Sequence, residues 1–106
     1  MTTGSKLTIR GWPFEDPPDT PAVTTTHVTK GGLPILYVSH EEDEDGASTW
    51  NFQCGTVPFS MDDAQLVRLD TIAGIDPTVL EIAGLPIGYS ATRPARGSKW
   101  EIRKEA

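Results

Sequence analysis

The chain has 106 residues, enough for one domain and one core. Fifteen acidic residues against nine basic ones leave a net charge of −6. That balance argues against nucleic acid, which recruits Lys and Arg to its phosphates, and against docking on anionic membranes.

Residues 1–20 read as a flexible arm. Thr, Gly, Ser and Lys open it without an apolar h-region, and Glu15-Asp16-Pro17-Pro18-Asp19 closes it in a solvated, extended pattern. Trp12 and Phe14 flank Pro13 within this arm. Such a pair either folds back onto the domain and buries a large area or offers that area to a partner. Residues 21–106 read as a single α+β domain. Val23-Thr24-Thr25 is rich in β-branched residues and predicts a short strand. Thr26 to Lys30 predicts a helical turn stopped by Gly31-Gly32. Leu33 to Val38 is apolar on both faces and predicts a strand in the middle of the sheet, with Pro34 at its start for want of an N–H.

The run Glu41-Glu42-Asp43-Glu44-Asp45-Gly46 follows, and then Trp50, Phe52 and Cys54 alternate with polar residues. This pattern predicts an antiparallel pair joined by a long, exposed and mobile acidic loop. Ser60-Met61-Asp62-Asp63 resembles a capping box and predicts a helical turn before a strand at Leu66–Leu69; a continuous helix over 61–73 is the rival reading. Asp76-Pro77 opens a further helix of about nine residues, with Val79, Ile82 and Ala83 as its buried stripe and Gly84 as its stop. Strands over Tyr89–Arg93 and Lys99–Ile102 complete a small, mostly antiparallel sheet with two or three short helices packed on it.

The chemistry-bearing residues point away from catalysis. No run approaches the ~20 apolar residues of a membrane span. A lone Cys54 cannot form an internal disulfide, so a cytoplasmic setting is expected. Sharing a strand face with Trp50 and Phe52, Cys54 should be a buried hydrophobe rather than a nucleophile. One Cys and the irregularly spaced His27 and His40 lack any zinc pattern, and the acidic run lacks the alternation and closing Glu of a calcium loop. His40, beside five carboxylates, reads as a charge-paired surface group. Arg93, Arg96 and Lys99 read as partners for nearby carboxylates rather than as a phosphate site. Neither a cofactor nor a metal is expected. The candidate partner-binding residues are Glu41, Glu42, Asp43, Glu44, Asp45, Trp12 and Phe14.

The order of landmarks is similar to that of a bacterial family. It comprises Val23-Thr24-Thr25, Gly31-Gly32, Pro34 to Val38, the acidic run and Trp50-x-Phe52. Val67-Arg68-Leu69, Ile72, Asp76-Pro77, Leu85-Pro86-x-Gly88, Arg93 and Trp100 continue it. The family is immunity protein family thirty-three of polymorphic toxin systems, formerly a domain of unknown function. The likeness spans about residues 22–103, and its most specific piece is Asp-Pro followed nine residues later by Pro-x-Gly. What the resemblance implies is a non-catalytic cytoplasmic protein that neutralises a toxin by binding it. The acidic loop suits a basic partner. The competing expectation is a protein- or ligand-binding module unrelated to toxins.

Overall fold

The computed structural model describes residues 12–105. One six-stranded, mostly antiparallel sheet organises them. Strand β1 (Pro21–Thr25) leads directly into the short helix α1 (Thr26–Thr29). Strands β2 (Tyr37–Glu42) and β3 (Ser48–Gln53) form the expected hairpin, with Val38 opposite Phe52 and His40 opposite Trp50. A 3₁₀ turn at Met61–Asp63 precedes β4 (Ala64–Arg68) and helix α2 (Leu69–Ile75). A 3₁₀ helix at Pro77–Ile82 is followed by β5 (Tyr89–Thr92) and β6 (Glu101–Lys104). The spatial order is β4-β1-β3-β2-β5-β6, with β1 and β3 the one parallel pair.

One sheet face builds the core. Val38, Trp50, Phe52 and Ala91 from the strands meet Leu69, Ile72, Val79 and Ile82 from the two helical segments that follow β4. These segments are too short to persist alone, so their burial against the sheet is what holds them helical.

Several boundaries differ from the sequence reading for local reasons. The 33–38 strand starts at Tyr37 instead of Leu33. The carbonyl of Ile35 accepts from the Arg93 guanidinium, at 3.1 Å from Nε and 2.9 Å from Nη2, rather than from a neighbouring strand. The 61–73 stretch is a turn followed by a strand rather than one continuous helix, but the strand runs over 64–68 instead of 66–69, because the wholly buried Leu69 begins α2. The Asp76 cap is present, its Oδ1 accepting from the Thr78 amide at 3.0 Å. It opens a six-residue 3₁₀ helix rather than an α-helix of nine.

The largest correction concerns the arm. Residues 1–11 lie outside the described part, but residues 12–20 belong to the domain. Phe14 is 5% exposed and stands edge-on to Trp50 at 5.0 Å between ring centroids. The carbonyls of Pro18 and Thr20 accept from the amides of Asp70 and Leu69, at 2.9 and 2.8 Å. This segment therefore satisfies two of the free donors at the start of α2, which has no side-chain cap of its own.

Candidate functional surface

The acidic run sits at the tip of the β2–β3 hairpin, where Glu41 to Ala47 are all exposed. Asp43 shapes the tip. Its Oδ1 accepts from the amides of Asp45 and Ala47, both at 2.9 Å, and its own amide donates to the Ala47 carbonyl. Gly46 completes the turn at φ 85°, a conformation that favours glycine. The expected loop is thus a hydrogen-bonded turn. Glu41, Glu42, Glu44 and Asp45 are exposed, and the equally exposed Asp43 turns its carboxylate onto the backbone of the turn.

Asp16 anchors the hairpin to the N-terminal segment. Its Oδ2 accepts from Trp50 Nε1 at 2.9 Å and from Ser48 Oγ at 2.8 Å. A hollow of about 520 Å³ opens beside it, lined by Val23, Leu66, Asp43 and Thr49 among others. Of the two aromatics assigned to partner contact, Phe14 is part of the core, and half-buried Trp12 packs against it at 5.2 Å. Trp12 Nε1 donates to the Asp16 carbonyl at 2.9 Å. The structure does not bring these rings together with the acidic tip as one exposed surface. Nothing in the Pro-rich sequence around Asp16 marked it as the residue that ties the segment to Trp50.

His40 is not the surface ion-pair partner that its neighbours in sequence suggested. Its ring stacks on Trp50 at 3.8 Å between centroids. Nδ1 lies 2.6 Å from the Leu85 carbonyl and must carry the proton, because a carbonyl only accepts. Nε2 is buried with no partner among the described residues. A cavity of about 360 Å³ lies against this ring, walled by Asp16, Trp50, Leu85 and Pro86.

Cys54 shares the core with Trp50 and Phe52 and is 1% exposed. Burial pushes its thiol pKa up, but hydrogen bonds from the Thr56 amide and hydroxyl and from the Val57 amide outweigh it and set the pKa below the ordinary thiol value. A thiolate needs an open approach to act as a nucleophile, and a core position denies one.

Arg93 and Asp76 form a buried ion pair at 2.9 Å, their side chains 0% and 1% exposed. Arg93 also donates to Thr78 Oγ1 at 2.9 Å, and its Cζ lies 4.0 Å from the centroid of the Trp100 ring. Arg96 adds a second cation 3.4 Å from Asp76. Burial raises the Asp76 pKa, yet the Thr78 hydrogen bonds and the two guanidinium groups bring it below the usual carboxylate value. Arg93 and Arg96 thus serve a carboxylate, as expected, and the guanidinium of Arg93 is committed to internal acceptors.

Among the described residues no group of three or more His, Cys, Asp or Glu is placed to hold a metal ion. No helix there is long and apolar enough to cross a membrane. Comparisons with protein-family models, with curated proteins and with solved structures find no match to this chain.

Proposed function

We propose that this chain is a non-catalytic cytoplasmic binding protein of the immunity type, which neutralises a basic protein toxin by occupying it. The observation that carries this reading is the hairpin tip, where Asp43 fixes the turn and leaves four carboxylates exposed. A fixed acidic projection steers a basic partner to one place and raises its association rate. The landmark likeness to immunity protein family thirty-three supports the same reading. Neither nucleic acid nor a membrane surface is a partner in it, given the net charge of −6.

The test is a pull-down from the native host, followed by co-expression with any toxin captured. Wild type should restore growth, and the reversal Glu41→Lys, Glu42→Lys, Glu44→Lys, Asp45→Lys should not, while circular dichroism shows an unchanged fold. Failure to capture a toxin, with none encoded beside the gene, refutes the reading. So does full protection by the reversed variant.

A second reading, a ligand-binding module unrelated to toxins, is favoured by the cavity against His40. Its volume falls within the range of small-molecule sites. Ligand-induced amide shifts confined to Glu15, His40 and Leu85 would mark that function.

A further inference from the structure

We propose that β4 is the seam of a homodimer, in which two copies pair antiparallel along this edge and join their sheets into one. Among the described residues the sheet has two free edges, β4 and β6. They are built differently. Strand β6 reads Glu101-Ile102-Arg103-Lys104, and three charges in four residues guard it against pairing with another chain. Strand β4 reads Ala64-Gln65-Leu66-Val67-Arg68, with no charge before its last residue and no proline.

Side chains around β4 add to the contrast. Leu66 points away from the core and is 71% exposed, in register with Val23 of β1. The segment leading into the strand exposes Met61 (77%), Phe59 (42%) and Val57 (37%). Four of the seven large apolar residues that are exposed among those described therefore fall within 57–66. Such a concentration beside an open backbone edge marks an interaction surface.

The strand is complementary to itself, which identifies the occupant as a second copy. A two-fold axis at Leu66 sets Leu66 against Leu66, Gln65 against Val67, and Ala64 against Arg68. The same rotation carries the Arg68 end of each copy to the Asp62-Asp63 end of the other. At both ends Arg68 faces Ala64 one residue from Asp63, and the ion-paired Asp70 faces Asp62, with an apolar contact at the centre. Arg68 has a 61% exposed side chain. It uses Nε and Nη2 on its own Asp70, leaving Nη1 without a partner among the described residues. Every contact off the axis occurs twice, as an isologous interface requires.

Sedimentation velocity of the full chain at physiological salt, from micromolar to millimolar concentration, tests the proposal. A concentration-dependent dimer is expected. Leu66→Lys, which places two ammonium groups face to face and removes two buried leucines, should weaken it by roughly a hundredfold. Ile102→Lys on the guarded edge should leave it unchanged. In a Cys54→Ala background, Leu66→Cys should form an intermolecular disulfide under mild oxidation and Ile102→Cys should not. A chain that stays monomeric to millimolar concentration overturns the proposal. So does a dimer that survives Leu66→Lys and yields no cross-link at position 66. Growth protection by the wild-type chain is read separately and is not touched by either result.

Discussion

Replacing Asp76 by Asn removes one charge from the most buried ionic contact described here while keeping the shape and the acceptor that cap Thr78. The Arg93 guanidinium would stay behind, 0% exposed, facing a neutral amide where a carboxylate now lies 2.9 Å away. Leaving a buried charge without its counter-ion costs about 3–5 kcal/mol, against a total stability of about 5–15 kcal/mol for a domain. With a urea m-value of about 1–3 kcal/mol per molar, the unfolding midpoint should fall by roughly 2 M. The pH dependence checks the cause. Because the folded pKa of Asp76 is depressed, its contribution is complete above the unfolded value of about 3.9 and is lost as pH falls through the folded value. The gap between wild type and Asp76→Asn should therefore be constant at neutral pH and close progressively below about pH 4. The double variant Asp76→Asn, Arg93→Met should be less destabilised than the two single losses added together, since it removes both ends of the pair. A midpoint that hardly moves, or a gap that persists undiminished into strong acid, would refute the assignment of this pair as a stabilising charge contact.

Two further outcomes test the packing. Phe14→Ala should cost about 3–5 kcal/mol, the range for a buried aromatic, and lower the melting temperature by more than about 10 °C; a change too small to measure would return residues 12–20 to the status of an arm. Cys54 in the native protein should react with a thiol probe at least ~100-fold more slowly than in urea-unfolded chain, because modification waits for an opening event. Rapid labelling at neutral pH would place the sulfur outside the core and reopen nucleophilic chemistry.

The parts of this fold that were legible in the sequence are those where one local rule operates alone. Alternation placed Trp50, Phe52 and Cys54 on one buried face, and Asp76-Pro77 announced a helix start. What escaped was decided by distant residues. Ile35 carries every sign of a strand, but its carbonyl belongs to Arg93, 58 positions away in the chain. The 12–20 segment is rich in proline and charge, yet Asp16 reaches Trp50, 34 positions on. His40 was read by its neighbours in sequence, the carboxylates of the turn. Its neighbours in space are Trp50 and the Leu85 carbonyl. Composition and periodicity report only the nearby chain, so contacts of this kind leave no local trace.

The residues that hold this protein together lie apart from the surface proposed to bind. Asp76, Arg93 and Trp100, late landmarks of the family likeness, converge on one internal network. Leu85, from the Leu-Pro-x-Gly landmark, is buried and supplies the carbonyl that holds His40. Gly88 adopts φ 92°, where a side chain would be strained. Substituting any of these disturbs packing, a buried charge pair or a turn. Landmarks of this sort therefore describe a scaffold. On the proposed function, choice of partner is written where the scaffold tolerates variation, and the exposed members of the hairpin tip meet that condition. Glu41, Glu42, Glu44 and Asp45 make none of the side-chain hydrogen bonds that Asp43 makes to the turn. Changing their sign should leave the fold intact while redirecting what the hairpin attracts.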